Sequence, residues 1–180
     1  MGNSLTIRLF SSGKARGTVA KRGDYQVDNV QVGLISDTHG VLRSEACRIL
    51  QDCEHIIHAG DINKPEILAE LRQIAPTTAV KGNMDLGSWA QELKEVERLE
   101  INGRSLVVVH NLMHLDLFKE QADVVVYGHT HRFAAETRNG ILLVNPGSAG
   151  PRRFALPITM AVLTIGEQLT VKKACLKNRA

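Results

Sequence analysis

The first half of the chain alternates short apolar runs with segments of helical periodicity, and this order limits the fold more than any other feature. The runs Val30–Ser36, His55–His58 and Thr77–Val80 have the length of buried strands. Between them, Ser44–Leu50 and the segment that begins at Pro65 carry apolar residues on one helical face. Strand, helix, strand, helix, strand predicts a parallel sheet with right-handed crossovers, so the fold class is α/β.

The second half of the chain is predicted to be built from hairpins. Asn102-Gly103, Asn139-Gly140 and Gly166-Glu167 each separate two apolar runs, and such residues allow the positive φ that tight hairpin turns need. One further run, Val124–Tyr127, is also predicted to be a buried strand. This many strands in 180 residues is most economically arranged as two packed mixed sheets with helices outside, in a single domain over residues 24–180.

Residues that can bind metals follow the predicted strands at regular intervals. The seven residues are Asp37, His39, Asp61, Asn83, His110, His129 and His131. Each interval between strands is about the length of one crossover or hairpin unit. The side chains are therefore expected to meet at the carboxyl ends of the strands, where open α/β sheets place their sites.

The side-chain types of these seven residues are those of a metal site. Histidine and aspartate supply nitrogen and oxygen donors, which suit Mn²⁺, Zn²⁺, Fe or Ni²⁺. Glycines precede three of the positions, at Gly60, Gly82 and Gly128, and let the main chain turn tightly beside an ion. Two metal ions sharing one carboxylate, about 3.5–4 Å apart, would hold both oxygens of an in-line phosphoryl displacement.

Taken in order, these motifs resemble the calcineurin-like metallophosphoesterases. The motifs are Asp37-x-His39, Gly60-Asp61, Gly82-Asn83, His110 and Gly128-His129-x-His131. The similarity is greatest to the small single-domain bacterial and archaeal phosphodiesterases, a branch that also includes a eukaryotic trafficking scaffold. Asn145-Pro146-Gly147-Ser148 belongs to the same pattern, and the resemblance covers roughly residues 30–175.

The resemblance implies a four-layer αββα sandwich and a dinuclear phosphoesterase that hydrolyses phosphodiester bonds. It assigns one metal ion to Asp37, His39, Asp61 and His131, and the other to Asp61, Asn83, His110 and His129, with Asp61 as the bridge. It also implies a metal-bound water or hydroxide as the nucleophile, with Asp61, Asn83 and His110 as catalytic residues. The implied cofactors are two divalent metal ions, Mn²⁺ first, with Zn²⁺, Ni²⁺ or Fe as alternatives.

Two positions depart from the family pattern. A histidine that helps to protonate the leaving oxygen usually follows Gly-Asn, but Met84 stands here and cannot transfer a proton. Asn111 follows His110 where the pattern commonly has glycine. We therefore expect diesters to be preferred over monoesters, and we expect either an acidic leaving group or another proton donor.

Substrate contacts are expected from Asn83, Ser148, Arg152 and Arg153, the partner being a small-molecule phosphodiester. For the two arginines, bidentate binding of the phosphate and a solvated pair are both open. Analogy with the family implies a homodimer. The alternative function is a protein-binding scaffold on the same fold with little or no hydrolysis. That alternative predicts the loss of metal ligands, whereas all seven are present here.

Basic residues are concentrated at the ends of the chain. Residues 1–23 hold Arg8, Lys14, Arg16, Lys21 and Arg22 and no acidic residue, so 17 basic residues face 19 acidic ones in the remainder. We expect a basic, flexible extension over residues 1–23, in which Leu5, Ile7 and Leu9 alternate as in a short edge strand. A folded part with net charge −2 argues against nucleic acid as the main partner.

Compartment and membrane association are predicted from two further features. No apolar run approaches the roughly 20 residues that span a bilayer, so no membrane partner is expected. Cys47, Cys53 and Cys175 are odd in number and form no C-x-x-C pair, which indicates reduced thiols in a cytoplasmic protein.

Overall fold

A computed structural model, which describes residues 4–6, 28–153 and 155–177, shows two β-sheets packed face to face. The strands are β1 Ser4–Thr6, β2 Val30–Ile35, β3 His55–His58, β4 Thr77–Ala79, β5 Val96–Ile101, β6 Arg104–Val109, β7 Val124–Tyr127, β8 Ala134–Arg138, β9 Ile141–Asn145, β10 Thr159–Ile165 and β11 Leu169–Cys175. The helices are α1 Ser44–Leu50, α2 Pro65–Ile74 and the two 3-10 helices Ser88–Glu92 and Leu112–His114.

The first sheet has the strand order β1-β11-β10-β2-β3-β4. Strands β2, β3 and β4 run parallel to one another, and the pairs on the other side are antiparallel. Both α-helices pack on its outer face, where Ala46 and Leu50 of α1 and Leu68 and Leu71 of α2 are buried in one cluster. Pro65 is the first residue of α2, at a position where its missing N–H leaves no helical hydrogen bond unmade.

The second sheet has the order β5-β6-β7-β9-β8, with parallel strands in the middle and an antiparallel strand at each edge. Leu106 and Val108 face the core between the sheets, whereas Val107 and Val109 point outward, as strand geometry requires. All four are buried because Leu112–His114 and the loop that follows cover the outer face. The predicted pair of mixed sheets is confirmed, and in the described part of the chain both α-helices lie on the first sheet.

The three predicted hairpins are also confirmed. Asn102 and Asn139 have φ of 50° and 53°, and the glycines after them are also in the left-handed region. Strands β10 and β11 pair around the third turn. Residues 4–6 pair antiparallel with β11 at the sheet edge, as expected for the segment around Leu5. The rest of the predicted extension over residues 1–23, including Ile7 and Leu9, lies outside the described residues.

The carboxyl ends of parallel strands from both sheets meet at one end of the sandwich. The main-chain N–H of Ala59, after β3, donates to Ile35 of β2 at 2.9 Å, and that of Gly128, after β7, donates to His110 at the end of β6 at 2.9 Å. The ring of His110 in turn lies 2.7 Å from the carbonyl oxygen of Ala59, which joins the two sheets. Of the helices described, none is long and apolar enough to cross a membrane.

Candidate metal centre

Three of the predicted ligands, Asp37, His39 and His131, converge on one point at this end of the sandwich, and Asp61 adjoins them. The Nε2 atom of His131 lies 3.1 Å from Oδ1 of Asp37 and 3.4 Å from Nε2 of His39. The same His39 atom lies 3.9 Å from Oδ2 of Asp61. We refer to Asp37 Oδ1, His39 Nε2, Asp61 Oδ2 and His131 Nε2 as the first donor group.

The other predicted ligands form a second donor group, made of Asp61 Oδ1, Asn83 Oδ1, His110 Nε2 and His129 Nδ1. The amide oxygen of Asn83 lies 3.0 Å from His110 Nε2 and 3.0 Å from His129 Nδ1. Asp61 Oδ1 lies 3.4 Å from His110 Nε2. Asp61 therefore turns one carboxylate oxygen to each donor group. Asp37, Asp61 and His110 also bring one ligand atom each within 4.8 Å of one another, so Asp37 lies near both groups.

Five of these ligand residues hold the main chain in the left-handed region. Their φ angles are 53° at Asp37, 46° at His39, 57° at Asp61, 68° at His129 and 59° at His131. Non-glycine residues adopt this conformation rarely and at a cost, and such residues cluster at functional sites. The conformation turns each loop sharply at the strand end. Asp37 and His39 thus reach the first donor group together, whereas His129-x-His131 sends His131 to the first group and His129 to the second.

The buried carboxylate of Asp85 holds the loop that carries Asp61. Its Oδ1 accepts main-chain N–H groups of Ile62 and Asn63, both at 2.7 Å. Its Oδ2 accepts those of Asp61 at 3.0 Å and Gly82 at 2.8 Å. Four donors that no helix or strand satisfies are thus paired with one charged group, which fixes the left-handed turn at Asp61.

Two glycines are required where loops of the site touch. A Cβ atom at Gly82 would collide with the main-chain nitrogen and Oδ1 of Asp61. A Cβ atom at Gly128 would collide with the hydroxyl of Ser36, which donates to Asp37 Oδ2 at 2.7 Å. The glycines therefore allow the ligand loops to lie against one another.

Hydrogen bonds to the second ring nitrogen orient two of the histidines. His39 Nδ1 lies 3.1 Å from Oδ1 of Asn63, and His110 Nδ1 lies 2.7 Å from the carbonyl oxygen of Ala59. Because both partners are acceptors, Nδ1 carries the proton in each ring and Nε2 is left for a metal. This arrangement is typical of metal-binding histidines.

His58 is a buried link between the loops after β2 and β3, and it is not a ligand. The main-chain N–H of Gly60 donates to its Nδ1 at 3.2 Å, and its Nε2 lies 3.0 Å from the hydroxyl of Thr38. Burial lowers the pKa of His58 to about 3, so the ring is neutral near pH 7. The neutral ring accepts the hydrogen bond from Gly60 at Nδ1 and donates one from Nε2 to the Thr38 hydroxyl, which links the loops after β2 and β3.

The charges of the site suit cation binding. Burial would raise the pKa of Asp61, but hydrogen bonds from His110 and from the N–H of Met84 hold it below its usual value. Burial and the Arg153 guanidinium lower the pKa of His39. Burial opposes protonation of His110, yet the Asp61 carboxylate outweighs it and the pKa is raised. A cation in the second donor group would therefore displace the proton between Asp61 and His110.

The donor set fits divalent metal ions. Asp37 Oδ1 is buried and has no hydrogen-bond partner among the described residues, although it lies within the first donor group. A buried carboxylate oxygen that accepts no hydrogen bond, with a ring nitrogen of His131 3.1 Å away, is costly unless a cation or proton lies between the two atoms. Together with imidazole nitrogens, carboxylate oxygens and an amide oxygen, this matches the ligands of Mn²⁺, Zn²⁺, Fe or Ni²⁺.

The predicted substrate residues lie beside the two donor groups. Asn83 lines a cavity of about 410 Å³ next to the second group. Arg152 and Arg153 are exposed and border His131, on the side of the first group. Ser148 also lies there, but it is buried and its hydroxyl donates to the carbonyl oxygen of Asp37 at 2.9 Å. Its observed contact is thus with a ligand loop, and its role in substrate binding stays a prediction.

Sequence reasoning missed several residues that support the ligands. Asp85 and Asn63 were not assigned a role, although both stand within two residues of a predicted ligand. Asn145 was noted only as part of a pattern; its amide donates to the carbonyl oxygen of Gly128 at 2.7 Å, and its Oδ1 accepts from Gly147 at 2.9 Å. Only a general signal existed, since asparagine and aspartate in loops pair readily with main-chain groups, and the sequence does not show which groups those are.

The chain is similar to known proteins in both sequence and fold. Residues 30–168 match the Calcineurin-like phosphoesterase superfamily domain. A probable metallophosphoesterase of Methanothermobacter thermautotrophicus is 34% identical over 155 residues, covering 77% of this chain and 88% of that protein. A phosphodiesterase of Methanocaldococcus jannaschii is 28% identical over 164 residues, covering 80% and 95%. Vacuolar Protein Sorting 29 from Cryptosporidium parvum has a TM-score of 0.70 at 18% identity, covering 84% and 94%, a likeness of fold alone.

Proposed function

Because the chain belongs to the calcineurin-like phosphoesterase superfamily, we propose that it is a phosphodiesterase that works with two divalent metal ions. The observation that carries the proposal is the position of Asp61, whose two carboxylate oxygens lie in two separate donor groups. One carboxylate that reaches two sets of three further donors is suited to bridging a pair of ions.

The roles of the side chains follow from their positions. When bound, the two ions would supply an activated water and neutralise the charge that develops on the phosphoryl oxygens. Asn83 and His129 lie at the exposed side of the second donor group, so a substrate phosphate can approach there. Arg153 is close enough to His39 to lower the pKa of that ring, and in this proposal its guanidinium would donate two N–H groups to the phosphate.

Metal identity and compartment form part of the same proposal. The mixture of nitrogen and oxygen donors, without a thiolate in either group, suits Mn²⁺ as the working ion, with Zn²⁺, Ni²⁺ or Fe as alternatives. Cys47, Cys53 and Cys175 are free thiols, which supports a reducing, cytoplasmic location. Homodimer formation stays a prediction from family analogy.

The proposal is tested by hydrolysis of bis-(para-nitrophenyl) phosphate and of para-nitrophenyl phosphate. The protein is stripped of metals, and Mn²⁺, Zn²⁺, Ni²⁺ or Mg²⁺ is added back singly. We expect turnover that depends on the added metal and is faster with the diester. Calorimetric titration of the same samples should show binding of more than one ion per chain.

The contrary result is metal binding without turnover of either ester. It would favour the alternative function, a protein-binding scaffold on the same fold with little or no hydrolysis. The next experiment would then be a search for a protein partner.

A further inference from the structure

Hydrolysis of a phosphodiester leaves an oxygen that must gain a proton unless its negative charge is already stable. The ligand atoms of the two donor groups cannot give that proton, because each is needed as an unprotonated donor. Met84, on the exposed side of Asp61, has no proton to transfer. The proton donor must therefore be sought among the other side chains around the site.

The cavity of about 410 Å³ beside the second donor group limits the search. Its lining includes the ligands Asn83, His110 and His129, so a bound ester extends into it. The titratable side chains that line it, apart from ligands, are Lys81, Asp85, Glu95 and His114.

Chemistry singles out one of these four side chains. Both oxygens of Asp85 already accept main-chain N–H groups, so that carboxylate is committed to the Asp61 loop. Among the remaining side-chain types, only imidazole ordinarily changes its protonation between pH 5 and 8, which is what a general acid near neutral pH requires. His114 supplies that imidazole.

The main chain around His114 is fixed while its ring is exposed. His114 ends the short 3-10 helix Leu112–His114, and its N–H donates to the carbonyl oxygen of Asn111 at 3.0 Å. The side chain of Asn111 accepts the N–H of Met113 at 3.0 Å and so begins the same turn. The backbone is thus anchored four residues from His110, and the ring can meet a bound ester from the cavity wall.

Resting on the function proposed above, we propose that His114 is the general acid that protonates the leaving oxygen. Water attacks phosphorus, and the bond from phosphorus to the leaving oxygen breaks with its electron pair on that oxygen. The leaving oxygen takes the ring proton of the imidazolium form of His114. The proton lost by the attacking water enters the solvent, from which His114 is protonated again.

The test compares two esters that differ in their need for a proton. Methyl para-nitrophenyl phosphate releases a delocalised phenolate, whereas methyl phenyl phosphate releases a more basic one. His114→Gln should lower kcat on the phenyl ester by about 10²-fold, the usual size of a general-acid effect, and leave the nitrophenyl ester within about twofold. Met113→Gln, an exposed change in the same turn, controls for local disturbance and should spare both esters.

A rescue variant and a readout without turnover complete the test. Met84→His, added to His114→Gln, should restore a large part of the lost rate on the phenyl ester. In Zn²⁺-loaded wild-type protein, saturation with dimethyl phosphate should shift the ring resonances of His114 in the NMR spectrum. Those of His55, which lies in β3 and contacts Thr78, should stay in place.

The outcomes separate this inference from the proposed function. Equal loss on both esters, no loss on either, or unmoved His114 resonances would overturn the role of His114 and leave a metal-dependent phosphodiesterase intact. Wild-type protein that turns over neither ester would overturn the proposed function and the general acid with it.

Discussion

The Asp85 carboxylate is the clearest single determinant of the site geometry, and Asp85→Asn should destabilise the protein strongly. The change keeps the shape and removes one acceptor oxygen together with the charge. Two of the four main-chain N–H groups that Asp85 now accepts, from Asp61, Ile62, Asn63 and Gly82, would then face an amide N–H. A hydrogen bond to a charged group contributes about 1.5–3 kcal/mol, so the loss should be about 3 kcal/mol or more.

Urea denaturation of the metal-free protein measures this loss. With a urea m-value of about 1–3 kcal/mol per M, a loss of about 3 kcal/mol should lower the urea midpoint by about 1–3 M. The matched control is Asp52→Asn, an exposed aspartate in the turn between α1 and β3, which should change stability by less than about 0.5 kcal/mol. Because Asp85 holds the Asp61 loop, its variant should also bind Mn²⁺ about 10–100-fold more weakly in calorimetry. A midpoint equal to that of the Asp52 variant would refute the assignment of Asp85 as the clamp.

Three further predictions concern single side chains. His58 stays neutral in the folded protein down to about pH 3, because its pKa is lowered to about 3. In the unfolded chain, the same ring takes up a proton below about pH 6.5. The stabilising effect of the neutral ring is therefore complete above about pH 6.5 and is lost as the pH falls. The free energy of unfolding should fall by about 4 kcal/mol on this account near pH 3.5. His58→Gln should flatten this part of the curve of stability against pH, and an unchanged slope would contradict the role of His58. Met84→His should raise turnover of methyl phenyl phosphate by adding a second proton donor to that of His114, while leaving the para-nitrophenyl ester nearly unchanged; no gain would show that a histidine at position 84 does not reach the leaving oxygen. Asp61→Asn should abolish turnover and lower the number of Mn²⁺ ions bound per chain in calorimetry; retained activity would exclude a bridging role.

The order of the elements could be predicted from the sequence because each element has a strong local signal. Ser44–Leu50 has the same bounds in prediction and structure, and Pro65 begins the second helix as expected. The turns at Asn102 and Asn139 need residues that tolerate positive φ, and asparagine followed by glycine predicted these turns. The strand order within each sheet could not be predicted in the same way, because it depends on pairings between residues far apart in the chain, such as β10 against β2.

That the seven predicted ligands lie close together could be predicted for a different reason. Each follows a strand, and the parallel strands of the two sheets bring their carboxyl ends to one place, so residue type and position sufficed to predict that the side chains meet. The residues that support the ligands cannot be identified from residue type and position in this way. Asp85 lies just after Asn83 in sequence, yet its function depends on the positions of N–H groups more than 20 residues away, 24 for Asp61 and 23 for Ile62. Contacts of that kind appear only once the loops are folded together.

The main-chain conformation at the predicted ligands helps to decide whether this end of the fold is a metal centre or only a protein-binding surface. A left-handed non-glycine residue costs on the order of 1–2 kcal/mol, and five of the seven ligands adopt that conformation. Hydrogen bonds of Asp85, Asn145 and His58 offset the cost by holding the loops, and none of these three side chains adds to the core between the sheets. A surface used only to bind another protein would gain nothing from bringing five donor side chains together in strained loops. Binding of cations by converging donor atoms does give a physical reason for that strain. This supports a working metal centre over a scaffold that merely retains these residues.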